Sequence, residues 1–154
     1  EPYRGAWVRD YSEKDVRDVY DIRKVLEPMA LTLAFDNLTK LDLARAEDVL
    51  DRMDYDTDVL EASEQNWEFH SALYRPCDRR HLMDTLNKLH TASQHMTILG
   101  WAFERRYEKS QREHHYILEA CQAGNLPEAI KQVELHTQEA MTSTITALRK
   151  RKKG

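Results

Sequence analysis

The feature that most constrains this chain is the spacing of its apolar residues. Across nearly the whole sequence they recur three, four and seven positions apart, which is the rhythm of amphipathic α-helices. Gly and Pro occur only four times each among 154 residues, too few for a turn-rich β-sandwich or a disordered linker. The pattern predicts an all-α fold, an antiparallel bundle of six to seven helices with short connections.

Several helix ends can be placed from residues that cap helices. Ser12 followed by Asp15 resembles a capping box at the start of the first helix. Gly124 is a good C-terminal cap for one helix, and Asn125 is a good N-terminal cap for the last. Pro28 lies inside the first apolar stripe, so we expect the first helix to be kinked near Pro28 or split there.

Composition excludes several classes of function. The net charge of −4 argues against this chain holding nucleic acid by itself. No stretch approaches the roughly 18 consecutive apolar residues of a membrane span, so we expect no membrane partner. Cys77 and Cys121 lie in unrelated contexts, which argues against a disulfide framework and makes a reducing cytoplasm the simpler assumption. The motifs of nucleotide-binding loops, serine hydrolases and zinc proteases are absent.

The histidines are the residues most informative about function. Helical phase places His70, His114 and His136 on the apolar sides of three different helices. His81 and His90 are predicted instead at the surface or at an interface. One histidine on an apolar face is more often a core residue than a ligand, but three that face one interior make a joint case for a site.

Asn66 extends this candidate site. It precedes His70 by four residues, so the two side chains project from one helix face. One amide oxygen and the imidazoles of His70, His114 and His136 could ligate a single ion, since neutral imidazole suits Zn, Cu, Fe and Ni. The alternative is a buried polar network of histidine, asparagine and water with no metal, and spacing alone leaves both open.

Arginines offer candidate contacts for an anion. Arg23 lies at the edge of the apolar stripe of the first helix, where it can reach inward to a carboxylate. It can equally extend outward or pair with Glu27 one turn later. Three arginines shortly before His114 could assist with an anion or belong to an exposed connection: Arg105, Arg106 and Arg112.

Four segments, in order, resemble one known family. Residues 19–28 look like the opening of the FCD domain, the effector-binding C-terminal half of FadR-type GntR transcription regulators. Residues 66–70 are similar to its D-x-x-F-H motif, and residues 113–120 to its E-H-x-x-I-L-x-A motif. Residues 123–129, followed by His136, resemble its A-G-D-x-x-x-A…H ending. The resemblance spans nearly the whole chain, from Val16 to Ala147.

The resemblance implies a helical bundle that usually dimerises and binds a small carboxylate, a sugar acid or another organic acid, at a metal-centred pocket. The implied ligands of a divalent ion, most often Zn or Ni, are Asn66, His70, His114 and His136, and the implied effector contact is Arg23. The family's first ligand is most often Asp. Because Asn66 lacks that charge, we expect lower metal affinity and a less compensated ion.

The resemblance also predicts how the chain is organised. Residues 4–9 are similar to the last wing strand of a winged helix-turn-helix domain, although a disordered tail is the alternative that composition favours. Residues 1–11 would then be the remnant of that DNA-binding domain and its linker, and residues 12–154 the effector-binding and dimerisation domain. Operator DNA would be contacted through the missing N-terminal domain of a cytoplasmic homodimer.

Two other functions remain as alternatives to a regulator. A small metal-dependent hydrolase or lyase would also use three histidines with an open coordination position. Against it, no general base is evident beside the site, so we expect no enzyme. A purely structural dimerisation module would instead show a dry, filled core at these positions.

Overall fold

The computed structural model describes residues 11–55, 58–104 and 106–152. Within these ranges the chain is all-α, as predicted, and short 3-10 turns at Phe35–Asn37 and Arg75–Cys77 follow the first and third helices. The expectation for a wing strand falls on residues 1–10, which lie outside the described residues. The six helices are α1 (Glu13–Ala34), α2 (Lys40–Tyr55), α3 (Val59–Tyr74), α4 (Arg80–Glu104), α5 (Tyr107–Gln122) and α6 (Leu126–Arg151).

Local capping accounts for where the helices begin and end. At the start of α1 the backbone N–H of Asp15 donates to Ser12 Oγ at 3.1 Å, and the Asp15 carboxylate accepts from the Ser12 N–H at 2.8 Å. Gly124 follows α5 with φ of +66°, a left-handed conformation that glycine adopts without a Cβ penalty. The side chain of Asn125 then caps α6 by accepting from the N–H of Glu128 at 3.1 Å.

Pro28 does not interrupt α1. The helix continues past it to Ala34 as a single element, so the split considered from the sequence is excluded and the kink stays a prediction. Proline has no N–H to donate to the carbonyl one turn back, so α1 lacks one helical hydrogen bond at this point. The Thr32 hydroxyl makes a separate bond to the Pro28 carbonyl at 2.8 Å. The helix accommodates the missing bond without a break.

The helix α1 lies antiparallel to both α4 and α6. Toward α4, Tyr20 lies beside Thr97 and Glu27 beside His90, so residue numbers rise along one helix as they fall along the other. Contacts with α6 are reversed in the same way: Glu13 with Arg149 and Lys24 with Gln138. It follows that α4 and α6 run in the same direction beside α1.

The close approach of α4 to α6 depends on a glycine. A Cβ added at Gly100 would lie 3.3 Å from Thr144 Oγ1, closer than an ordinary van der Waals contact. The same Thr144 hydroxyl donates to the Met96 carbonyl at 3.1 Å. Glycine therefore lets α6 lie against the backbone of α4 at this level of the bundle.

The interior of the bundle is apolar at both ends and polar between them. Along α1 the buried face changes from Val16 and Tyr20 to the charged pair Arg23 and Glu27, and then back to Ala30. The same alternation occurs along α6. No helix in the described part of the chain is both long and apolar enough to cross a membrane. The polar middle layer is where the candidate site lies.

Candidate metal centre and anion pocket

Three imidazoles from three helices meet in the polar layer. One ring nitrogen each of His70 on α3, His114 on α5 and His136 on α6 lies within 4.8 Å of the others, a cluster that could hold a metal ion. The ring centroids of His114 and His136 are 4.5 Å apart. The three residues are almost completely buried, with exposed fractions of 0%, 0% and 3%.

Two of these rings are held by acceptors on their outer side. His136 Nδ1 lies 2.8 Å from Glu113 Oε2, and His114 Nδ1 lies 2.9 Å from Gln111 Oε1. A carboxylate or an amide oxygen can only accept, so each Nδ1 carries the hydrogen. With Nδ1 engaged in this way, Nε2 is the ring atom left to ligate a metal ion.

His70 is also held at Nδ1, but through the hydroxyl of Tyr74 rather than directly by a carboxylate or an amide. The Tyr74 hydroxyl donates to Glu27 Oε2 at 2.9 Å, which leaves the phenol oxygen to accept from His70 Nδ1 at 3.3 Å. The Nε2 atoms of His70 and His114 are buried and have no hydrogen-bond partner among the described residues. Unsatisfied buried lone pairs are costly, and a cation between the rings would satisfy them. The donor set thus fits a divalent ion.

The protonation state also suits a metal site. Burial, with smaller contributions from the other histidines, lowers the pKa of His70 and of His114 well below the usual value. Both rings are therefore neutral near pH 7. Neutral imidazole is the form that ligates a metal ion, so no proton has to be displaced from these two rings.

Asn66 lies beside the triad. It is buried, with 6% of its surface exposed, one helical turn before His70 on α3. It lines a cavity of about 10 Å³ together with His136, Arg23 and Arg106. That volume accommodates about one water molecule or ion. The amide contributes an oxygen donor but no charge.

Arg23 reaches inward and also pairs with Glu27, so both sequence-based interpretations of its contacts hold at once. Its Nε donates to Glu27 Oε1 at 2.6 Å, and its Nη1 donates to Ser93 Oγ on α4 at 3.0 Å. The guanidinium carbon lies 4.8 Å from the ring centroid of Tyr20, a cation–π distance. Only 2% of Arg23 is exposed.

The carboxylate of Glu27 lies at the centre of this hydrogen-bond network. Glu27 was not identified as a site residue from the sequence. Its carboxylate receives hydrogen bonds from Arg23, Tyr74 and His90, and none of its surface is exposed. Burial alone would raise its pKa, but Arg23, His90 and His70 together lower the pKa well below the usual value for a glutamate. Glu27 is therefore an ionised carboxylate inside the bundle.

The expectation that His90 lies at the surface or at an interface is wrong. It is 5% exposed, stacks on Trp67 with ring centroids 4.3 Å apart, and donates from Nε2 to Glu27 Oε1 at 3.1 Å. Burial lowers its pKa to about 4, so the ring is neutral. The reason for the error is that the partner lies on α1, 63 residues away. His81, by contrast, is exposed as predicted.

Arg106 is the second buried arginine, and for it the alternative of an exposed connection is wrong. It is 5% exposed, its Nη2 donates to Glu113 Oε2 at 2.8 Å, and its Nε donates to the Glu139 carbonyl at 3.3 Å. The same Glu113 oxygen accepts from His136, so one carboxylate joins an arginine to a candidate metal ligand. Arg112 is exposed, and Arg105 lies outside the described residues.

A larger cavity adjoins the small one. It has a volume of about 160 Å³ and lies between α3 and α4, where Ser63 and Gln94 contribute polar atoms and Trp67 an aromatic face. Asn66 and Thr97 line both cavities. Space for a small molecule therefore lies directly beside the histidines and the two buried arginines.

This all-helical bundle with a buried histidine triad is an FCD domain: residues 18–139 match the model of the FCD domain family, and the chain belongs to that family. It is 28% identical over 136 residues to the uncharacterized HTH-type transcriptional regulator YdhC of Bacillus subtilis (strain 168), covering 86% of this chain and 61% of that protein. It is 29% identical over 119 residues to the HTH-type transcriptional regulator LutR of the same organism, covering 73% and 54% respectively. The chain spans less than two thirds of the length of either relative.

Solved structures share the fold. A GntR-family transcriptional regulator from Pseudomonas syringae pv. tomato str. DC3000 matches with a TM-score of 0.80 at 21% identity, over 100% of this chain and 65% of that one. The metal-free FCD domain of TM0439 matches with a TM-score of 0.77 at 19% identity, over 92% and 99%. The resemblance read from the sequence is confirmed. Both curated relatives are transcriptional regulators by name.

Proposed function

We propose that this chain is the ligand-sensing domain of a GntR/FadR-type transcription regulator and that it binds a small carboxylate at a divalent metal ion. The observation that carries the metal-centred part is the triad itself, in which each histidine is held at Nδ1 and two buried Nε2 atoms lack a partner in the part of the chain that the structure describes. Similarity to HTH-type regulators supports the regulatory part.

The residues that would hold the ion are His70, His114 and His136, with the Asn66 amide oxygen as a fourth ligand. Zn or Ni suits such a set of imidazoles and one neutral oxygen. When bound, the ion supplies a Lewis-acid anchor for a carboxylate oxygen of a sugar acid or another organic acid. Side chains of the protein would position that acid and transmit its binding to the packing of the helices.

Arg23 is the proposed second contact for the effector and the link to the helices. Its Nη1 hydrogen bond to Ser93 ties α1 to α4, while Glu27 retains its Nε. An effector carboxylate that accepts from Nη1 competes with the Ser93 hydroxyl, which weakens the tie between the two helices. Because α1 is the helix that follows residues 1–11, its repacking shifts the population of orientations available to a DNA-binding domain attached there.

A second copy of the chain is the proposed partner of the outer face of α1. Ile22, Val25 and Met29 form an apolar stripe there, with 47%, 67% and 50% of their surface exposed. We expect the parent chain to sediment as a homodimer and Val25→Glu to sediment as a monomer. Leu60→Glu, which adds the same charge at an exposed leucine of α3, is the control that should leave the dimer intact. A monomeric parent would contradict this pairing.

The first test is the metal content of the chain purified without chelator. We expect about one Zn or Ni per chain, as in a single closed site, and loss of that metal in His114→Ala. His81→Ala is the control, because that histidine is exposed on α4 and lies outside the triad and its supports. A parent that takes up no metal even after incubation with Zn or Ni would refute the metal-centred site.

The regulatory part has a separate test. A carboxylate that binds this domain should change the affinity of the full-length protein for its operator. Fluorescence anisotropy with labelled operator DNA in a reducing buffer measures that affinity. Unchanged operator affinity in the presence of a bound carboxylate would refute effector sensing while leaving the metal site intact.

A further inference from the structure

We infer that Arg106 binds a second anionic group of the effector, so that the ligand is a dicarboxylate or an acid with an equivalent second negative charge. The inference rests on the metal-centred site proposed above, and it adds a residue and a narrower ligand class to it.

The geometry of Arg106 leaves one donor group unused. Two of its three nitrogens are engaged, Nη2 with Glu113 at 2.8 Å and Nε with the Glu139 carbonyl at 3.3 Å. Its Nη1 is buried and has no hydrogen-bond partner within the described part of the chain. A buried guanidinium N–H without an acceptor is costly, and a carboxylate is the acceptor that best matches it.

The position of Arg106 says where that acceptor would lie. Its side chain lines the same small cavity as Asn66 and His136, so an anion there is next to the proposed metal ligands. The other arginine of the cavity, Arg23, differs because its Nε and Nη1 already donate to Glu27 and Ser93. Arg106 therefore has an acceptor still to gain, whereas Arg23 must give up a partner to bind the ligand.

Charge balance points in the same direction. Arg23 is matched by Glu27 and Arg106 by Glu113, so these four buried or half-buried groups sum to zero. The proposed ligands are three imidazoles and the amide of Asn66, which adds no charge. A divalent ion would thus bring two uncompensated positive charges into the bundle, and uncompensated buried charge is unfavourable. A dianion removes both charges, whereas a monocarboxylate removes one.

The space beside the site accommodates the body of such an acid. The cavity of about 160 Å³ between α3 and α4 meets the small cavity at Asn66 and Thr97. Its hydroxyl and amide groups, from Ser63, Ser93 and Gln94, suit a hydroxylated chain rather than an aliphatic one, and its one carboxylate, Glu64, is exposed to solvent. A small dicarboxylate can lie in the larger space with one end toward Arg106, and because the small cavity holds about one water molecule, Asn66 and Thr97 have to move apart to admit that carboxylate.

The test compares two probes on the zinc-loaded chain by isothermal titration calorimetry. L-Malate and 2-hydroxybutyrate share a 2-hydroxy carboxylate and a four-carbon skeleton, and differ by a carboxylate in place of a methyl group. We expect the parent to bind malate about tenfold more tightly or better, the scale of one charge-assisted hydrogen bond in a buried site. In Arg106→Gln that preference should fall to within about twofold. Zinc content of every variant is measured in parallel.

Two controls separate the role of Arg106 from general effects. Arg112→Gln removes the same charge from an exposed position on α5, six residues further along the chain, and should keep the preference. Arg106→Lys keeps the charge but lacks the planar fork, so it should keep only part of the preference. If Arg106→Gln loses its helical circular dichroism, Arg106→Lys and the parent decide the question.

The outcomes distinguish this inference from the proposed function. A preference for malate that survives in folded Arg106→Gln would overturn the role of Arg106. Equal binding of both acids by the parent would overturn the second anionic group and leave carboxylate sensing at the metal intact. Binding of neither acid by the zinc-loaded parent would refute the inference together with the carboxylate part of the proposed function.

Discussion

Two glutamates support the histidine triad in similar ways but in different surroundings. Glu27 lies behind His70 through Tyr74 and is paired with Arg23; Glu113 lies directly behind His136. Glu27 is completely buried, whereas the Glu113 side chain is 13% exposed.

This difference in exposure predicts that one glutamate stabilises the fold and that the other tunes the site. A fully buried carboxylate must keep all its donors, since water cannot replace any of them. A carboxylate at the edge can exchange a protein donor for water. We therefore expect changes at Glu27 to act on the fold and changes at Glu113 to act on the site.

The largest effect should follow removal of the buried carboxylate. Glu27→Ala leaves Arg23 charged and unpaired inside the bundle, which should lower the free energy of unfolding of the metal-free chain by about 3–5 kcal/mol. Urea denaturation followed by circular dichroism measures it. Glu113→Ala should cost clearly less, because the Glu113 side chain is itself 13% exposed and its truncation lets water enter the space beside Arg106. Equal losses in the two variants would remove the distinction between the glutamates.

The next largest effect should be a pH dependence of stability that arises from His90, the histidine bonded to Glu27. Burial lowers the pKa of His90 to about 4, while the unfolded chain takes up that proton near pH 6.5. The unfolded state therefore binds more protons in between, so stability is complete above about pH 6.5 and declines toward pH 4. His90 alone should account for about 3 kcal/mol of this loss by pH 4.

Two substitutions identify the histidine responsible. In the metal-free chain, His90→Gln should flatten the decline between pH 6.5 and pH 4, although His70 and His114 keep part of it because their pKa values are also lowered. His81→Gln, at an exposed position, should leave the curve unchanged. A His90→Gln curve that superimposes on that of the parent would show that His90 is not buried as a neutral ring.

The smallest effect should come from the glutamate at the edge. Glu113→Gln keeps an oxygen that His136 Nδ1 can donate to but removes its charge, so metal affinity should fall about tenfold with little change in unfolding free energy. Competition with a fluorescent zinc chelator measures the affinity. Glu119→Gln, at an exposed position of the same helix, is the control. A large loss of stability in Glu113→Gln would place it in the same class as Glu27.

The parts of this structure that sequence predicts are the local ones. Capping at Ser12, Gly124 and Asn125 depends on neighbours within four residues, and the structure confirms each of them. The inward phase of His70 and His136 is local in the same sense, because each lies within one helix whose apolar side is clear from the sequence.

What sequence does not predict is the pairing between helices. The bond between Glu27 and His90 joins residues 63 positions apart, and neither helix taken alone indicates it. One signal was present: His90, Ser93 and Thr97 are spaced three and four residues apart, a polar stripe on the face of α4 that continues from Leu86. Arg106 had no such pattern, since it lies in the short connection before α5.

The burial of the triad also limits how fast a bound metal ion could exchange with solvent. With 0%, 0% and 3% of the three histidines exposed, no ligand atom of an ion bound there meets solvent directly. Their supports come from α1, α2 and α5, because Gln111, which holds His114, itself donates to Asp54 at 3.1 Å. Exchange of the ion is therefore tied to local opening of several helices at once, which is slow compared with ligand diffusion. If the proposed metal and organic acid both bind, the metal would remain in place on the timescale of effector binding, and the organic acid would be the component that exchanges.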